Sequence, residues 1–173
     1  VSRVSSTTFR GELLVGEDWQ ARDYRGLRIA VVASAAETAR ILPYVARSAS
    51  SVKVFQRSPA WVLPARLPFP RGPLRRALAR VNLRLSVDDP WLRRQLTPGD
   101  DEPRVVVRRG FYAALQQPSC KLYTWPVYAI VEQGLRSAEG VEHRVDVITL
   151  GAETDLAGLT DLASRATREE HIA

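Results

Sequence analysis

The sequence predicts an α/β protein: a three-layer sandwich with a central parallel sheet, a β-meander and a helical insertion. Three observations carry that expectation. A short apolar run, Arg28 to Val32, leads through a loop of small residues into an apolar-periodic stretch and then a second run, Val52 to Phe55. Proline-rich and arginine-rich segments interrupt this alternation between residues 70 and 100. The chain then returns through short β-prone pieces to a last strand, Asp146 to Leu150. Continuous apolar runs, rather than alternating ones, belong to strands covered on both faces, as in a parallel sheet.

Taken in order, residues 1–26 read as an extended lead-in, with Asp18, Asp23 and Gly26 as turn or boundary residues. Arg28 to Val32 is the first buried strand. Ala36, Ala39, Ile41, Leu42, Tyr44 and Val45 then recur at helical spacing, with Pro43 expected to kink the helix or to sit where a turn is already irregular. Strand, tight loop, helix and strand within about thirty residues open a dinucleotide-binding, Rossmann-like unit, here drawn over residues 27–155. Ser58 to Pro73 holds five prolines and reads as a surface crossing rather than a central strand.

Two helices are expected near 73–85 and 89–96 within the insertion. In the first, Leu74, Leu78, Val81 and Leu85 form an apolar stripe, Pro73 suits the first turn, and Arg75, Arg76, Arg80 and Arg84 occupy a solvated opposite face. Gly99 to Pro103 is a polar loop, Phe111 to Gln116 a short helix and Leu122 to Thr124 a strand. Residues 122–145 supply the meander, including a hairpin that turns at Glu139-Gly140. Residues 156–173 form an amphipathic helical tail.

Composition narrows the function classes. At 173 residues and 45% hydrophobic content the chain is one core-forming domain with an appendage. Its single cysteine, Cys120, excludes an internal disulfide framework and points to a reducing, cytoplasmic setting, as a small core or loop thiol. No apolar run reaches the roughly 20 residues of a membrane span. The net charge of +6 attracts anions in general. Nucleic acid is disfavoured, because no aromatic residues interleave with the arginines as single-strand binding requires. His143 and His171 join no nucleophile or metal set and read as exposed bystanders; the sequence has no C-x-x-C, H-E-x-x-H or G-x-S-x-G.

Phe9, Gly11 and Trp19 stand at the spacing F-x-G-x-x-x-H-x-x-x-W, with Val15 at the histidine position. Phe55 to Pro64, Asp89-Pro90-Trp91-Leu92-Arg93, Leu96-Thr97-Pro98, Phe111 to Leu115 and Val145 to Leu150 follow as uncommon strings in a consistent order. Over residues 9 to 155 the chain thereby resembles the NADPH-binding domain of Baeyer–Villiger and other flavin-containing monooxygenases. The resemblance implies NADP(H) as ligand. It implies FAD only through an N-terminal strand-loop-helix that no residue of this sequence matches, so the FAD site is expected to be absent from this chain.

The departures from the family pattern are systematic. Where the family has G-x-G-x-x-G, Ala33, Ala35 and Thr38 stand here. An alanine forced into a left-handed turn costs on the order of 1 kcal/mol, and its methyl intrudes where a pyrophosphate must approach. Glu37 adds a like charge in the first helical turn, so a bound phosphate requires it to swing into solvent. The resemblance gives Ser34, Ala35, Ala36 and Glu37 as the loop around the pyrophosphate, Arg57 with Ser58 as the 2′-phosphate pair, Gln56 in place of a ribose-binding acid, and Arg104 as the survivor of a lysine-arginine pair whose first member is Pro103. Gly151-Ala152-Glu153 replaces Ala-Thr-Gly after the last strand.

Three readings follow. The first is a degenerate NADP(H)-binding domain, a pseudoenzyme remnant that is not catalytic alone. The second is the nicotinamide-binding subunit of a two-chain FAD/NADPH monooxygenase, which predicts docking of a flavin-domain protein, or a homodimer, on apolar surface from Phe9, Leu13, Leu14 and Trp19. The third is a basic protein-interaction module acting through Arg75, Arg76, Arg80 and Arg84.

Overall fold

A computed structural model describes residues 9–56, 58–66, 72–99, 105–152 and 154. In chain order the elements are β1 (Glu12–Val15), a 3-10 turn (Asp18–Ala21), β2 (Arg28–Val32), α1 (Ala35–Val45), β3 (Ser51–Phe55), β4 (Trp61–Leu63), α2 (Pro73–Ser86) and α3 (Pro90–Gln95). There follow β5 (Val105–Val107), α4 (Phe111–Leu115), β6 (Cys120–Tyr123), β7 (Val127–Val131), β8 (Gly134–Ser137), β9 (Glu142–Arg144) and β10 (Val147–Leu150).

The central sheet has five strands, all parallel, in the order β1-β10-β2-β3-β6. Because side chains alternate along a strand, its residues divide between two separate cores. Leu14, Val147, Ile29, Val31, Val52 and Val54 face a core shared with α1, α4, the buried side of α2 and Trp61. Ala30, Phe55, Ile148 and Leu150 face a second core closed by Phe9 and by Ile130 and Leu135 of the antiparallel β7-β8-β9 meander. The layers are therefore helices, parallel sheet and meander, the architecture expected from the sequence.

Several turns form where their residue types require. Gly26 and Gly140 adopt the left-handed conformation (φ 73° and 81°), Gly140 within the β8–β9 turn. Asp23 accepts the Arg25 backbone N–H at 3.1 Å, an Asx turn of the kind aspartate favours. The α1 helix runs through Pro43 and ends two residues later, so the missing donor falls in its last turn.

Other expectations are corrected. Residues 12–15, inside the stretch read as a lead-in, form an edge strand whose partner β10 lies far away in sequence. The proline-rich crossing contains β4, whose Trp61, Val62 and Leu63 are all buried and pair in parallel with β5. Phe9, Leu14 and Trp19 lie inside this chain's own cores and Leu13 packs partly against one, so they offer no open docking surface. The α2 helix buries Ala79 and Leu83, whereas Leu74, Val81 and Leu85 of the apparent core stripe point outward. His143 is buried, its ring set edge-on against Tyr123 (4.7 Å) and Phe55 (5.2 Å). The tail at 156–173 and His171 lie outside the described residues.

Cys120 is buried at the start of β6, and burial pushes its thiol up to about 12, as befits an inert core residue. No described helix is long and apolar enough to cross a membrane.

Two outcomes are expected. A Cβ on Gly11 would collide with the Phe9 ring and the Asp146 carbonyl, a backbone atom that cannot yield. Gly11→Ala should therefore destabilise the protein by roughly 2–3 kcal/mol in denaturant unfolding. Burial, followed by the nearby Lys53 charge and opposed by Glu139, holds the His143 imidazole below its ordinary value. The unfolded chain then takes up this proton first, so stability is full above about pH 6.5 and falls as pH drops toward the lower folded value. His143→Gln should flatten that slope between about pH 7.5 and 5.5.

Candidate functional site

In open parallel sheets a ligand crevice forms at the carboxyl ends of the strands, where the chain's direction of travel across the sheet reverses. Here β2 is followed on one side by β3 and β6, while β10 returns on the other, so the switch point lies between β2 and β10. The β2–α1 loop and the Gly151-Ala152 segment after β10 border it directly. Gly151 is tied to the end of β2 by its N–H to Val32 carbonyl bond at 2.9 Å, and Thr154 Oγ1 donates to the same carbonyl at 3.2 Å.

The loop is built around a helix cap. Ser34 is the N-cap of α1 in extended conformation (φ −61°, ψ 159°), and its Oγ accepts the Glu37 N–H at 3.4 Å. The Glu37 carboxylate answers by accepting the Ser34 N–H at 3.3 Å and the Ser34 hydroxyl at 2.8 Å. This is a capping box, which satisfies donors that a helix start leaves open. The same carboxylate then reaches across the switch point, where Oε1 accepts the Ala152 N–H at 2.8 Å. One anion thus joins the first turn of α1 to the segment after β10.

This geometry corrects one expectation: the loop is not strained, because no described non-glycine residue has positive φ. Glu37, expected to swing into solvent only around a bound phosphate, is here half-buried and directed into the crevice. Ala33 and Ala35 are accommodated because the chain enters α1 through an ordinary extended N-cap. Thr38, at the third glycine position, is fully buried and its hydroxyl donates to the Ala33 carbonyl at 3.4 Å.

The remaining candidate residues do not all converge. Ala35 and Ala36 lie in the first turn of α1, and Ala36 is exposed. Ser58 is exposed, and its carbonyl accepts from Nε2 of the buried Gln56 at 3.2 Å. Arg57, Arg104, Pro103 and Glu153 lie outside the described residues. Val15 ends β1 in register with Leu150, which is paired in turn with Val32 and, beyond it, Phe55 and Tyr123, giving an apolar row on the meander side. The Ala152 N–H was not among the expected site groups. It carries no side-chain signature, although the Ser34-x-x-Glu37 spacing of the capping box was legible.

The fit of a dinucleotide can be tested on these bonds. A pyrophosphate at this position needs free N–H groups at the helix start and room beside the strand end. The Ser34, Glu37 and Ala152 N–H groups are already engaged. Glu37 also fills the space beside Gly151, since a Cβ there would meet its carboxylate and, at 3.1 Å, the Ala33 methyl. With Glu37 in this position, the loop offers a pyrophosphate neither these three donors nor the space beside Gly151.

No protein-family model matches the chain. An uncharacterised monooxygenase of Mycobacterium tuberculosis is 31% identical over 189 aligned positions, covering 85% of this chain and 38% of the relative. A Baeyer–Villiger monooxygenase of Pseudomonas aeruginosa is 25% identical, covering 83% of this chain and 35% of the relative. The chain is related to the flavin-dependent monooxygenases. It spans well under half the length of these relatives. Its fold matches a steroid monooxygenase bound to NADP (TM-score 0.70, 20% identity, 83% of this chain and 42% of that one). It also matches cyclohexanone monooxygenase of a Rhodococcus species bound to NADP+ (TM-score 0.69, 14% identity, 87% and 44%).

If the Glu37 clasp holds the two segments together, removing its charge should show in stability. Glu37→Ala abandons one capping interaction and a charge-assisted bond to Ala152, an expected loss of about 2 kcal/mol in thermal or urea unfolding. Glu37→Gln should lose less, because its amide oxygen can still accept.

Proposed function

We propose that this chain is a nicotinamide-dinucleotide domain of the flavin-monooxygenase lineage in which the phosphate seat has been closed from within, and that it does not insert oxygen by itself. The observation that supports this reading is the Glu37 carboxylate, which engages the Ser34 and Ala152 N–H groups across the switch point. A carboxylate is a competent internal substitute for a phosphate oxygen: anionic, acceptor-only and suited to the positive end of a helix. Its presence excludes the ligand twice, by volume and by repulsion that reaches roughly 4 kcal/mol for two charges about 4 Å apart at an effective dielectric near 20.

Retention of a fold does not imply retention of its chemistry, which resides in the site. Oxygen insertion depends on a flavin, and the cofactor rather than the polypeptide carries that reaction. In this reading the relatives' reaction is not available to the described residues, and what persists is the scaffold that once presented a nicotinamide. Arg57 and Ser58 keep the residue types of a 2′-phosphate pair and bear on the alternative reading, a nicotinamide-binding subunit serving a separate flavin-bearing chain.

Calorimetric titration of the protein with NADP+, NADPH and NAD+, with Arg57→Ala as control, separates the two. No heat of binding up to about millimolar ligand is the expected outcome, since the seat loses both space and donors. Micromolar NADP binding that disappears in Arg57→Ala would overturn the closed-seat reading and favour the subunit.

A further inference from the structure

The α2 helix presents a second apolar face that nothing among the described residues covers. Its buried side is Ala79 and Leu83, with Asn82 Nδ2 donating to the Val62 carbonyl at 2.9 Å. Away from that side lie Leu74 (55% exposed), Val81 (50%) and Leu85 (79%), with Leu78 on the same stripe half-buried against the chain's own helix-side core. Their 4-3-4 spacing is that of the d-a-d-a positions of a heptad repeat, while Ala79 and Leu83 fall at b and f. Helices that bury one face usually leave the other polar, and this one leaves Leu74, Val81 and Leu85 in water.

Charge narrows what can cover it. The helix carries Arg75, Arg76, Arg80 and Arg84 and no carboxylate. None of the four makes an ion pair with a described acidic group; Arg80 instead lies over the Trp61 ring at 5.6 Å. Arg75 and Arg84 occupy the e and g positions that border the seam. A second copy would bring both sets of arginines to one interface, and like charges facing each other there disfavour it. An anionic bilayer would answer the charge, but the seam subtends only about 60° at 3.6 residues per turn. That is narrower than the apolar arc of about 100° or more by which a helix face buries itself broadly. Width, spacing and charge together suit another helix.

We propose that the outward face of α2 docks an amphipathic helix of a partner protein, one with apolar residues at a and d positions and glutamate or aspartate flanking them. The leucine row supplies the buried strip, and Arg75 and Arg84 pair with the partner's carboxylates at its edges, setting orientation and speeding encounter. This surface lies on the helical insertion and does not depend on whether the dinucleotide seat is open.

The test uses a fluorescein-labelled synthetic peptide of about three heptads, with leucine at a and d and glutamate at e and g. Anisotropy should report micromolar binding to the full chain that weakens at least about tenfold between 0.05 and 0.5 M salt. The double variant Val81→Ser, Leu85→Ser changes only exposed positions, so its thermal midpoint should match the parent while its affinity drops by at least about tenfold. A matched peptide with lysine in place of glutamate should not bind. Equal binding of the two peptides, or no binding of either, would overturn the proposal. So would concentration-dependent self-association in sedimentation that the double variant abolishes, which assigns the face to a second copy. Binding to phosphatidylglycerol vesicles that the same variant abolishes, without binding of the acidic peptide, would assign it to lipid.

Discussion

A fully parallel sheet has to be covered on both faces, and this constraint organises the protein. Every strand from β1 to β10 in the central sheet runs the same way, so each connection must cross over a face before pairing again. The crossing after β2 is α1, which closes one core with α4. The crossing between β6 and β10 is the meander, whose Ile130 and Leu135 close the other. Cover on the two faces is chemically unlike, helices on one and a small antiparallel sheet on the other. The strand residues toward the helices are mostly β-branched (Ile29, Val31, Val52, Val54, Val147), while the large rings Phe55 and Tyr123 face the meander.

The fingerprint residues are explained by the same constraint. Gly11 lies where the chain passes over the Asp146 carbonyl and under the Phe9 ring, with no room for a side chain. Phe9 then fills the meander-side core, and Trp19 packs edge-on against Tyr44 in the helical one, 5.4 Å between ring centroids. Asp146 receives the Arg28 backbone and guanidinium, and the hydrogen bond from Arg28 holds its carboxyl below the usual carboxylate range. Edge strand β1, the return strand β10 and the first strand β2 are thereby fastened at their amino ends by groups with no part in cofactor chemistry. Their role is packing and does not depend on the state of the site.

Much of this was legible in the sequence, and the gaps have physical causes. Arg28–Val32, Ser51–Phe55 and Val147–Leu150 announce themselves by short β-branched, largely apolar stretches, and Gly140 marks its turn because only glycine enters a left-handed position without cost. The short strands β1, β4 and β5 are only three or four residues long, too brief for a firm local signal even in the valine triplet of β5. They exist through partners distant in the chain, which pattern reading cannot see. The α2 stripe misled for a different reason: periodicity shows that a helix has an apolar face, not which face the fold uses. His143 misled because a polar residue in a turn-rich hairpin reads as exposed, while the meander folds it down against Phe55 and Tyr123. At the site itself, residue types showed that glycines had been replaced. That Glu37 spans to Ala152 required coordinates, since the second partner is a bare backbone N–H.

On the reading proposed above, the clasp also gives a physical reason for a closed seat. A dinucleotide stabilises its domain only by mass action, as RT ln(1 + [L]/Kd), and contributes nothing when it is scarce. An internal carboxylate contributes whenever the chain is folded, because it is delivered by the helix it caps and has no separate translational freedom to lose. On the proposed reading, Ala33 and Ala35 reduce the unfolded chain's freedom relative to glycine, and Glu37 ties the helix start to the segment after β10. Each change favours the folded state and disfavours the phosphate. Stability and binding are opposed at this loop, because the donors and the space that serve one are withdrawn from the other.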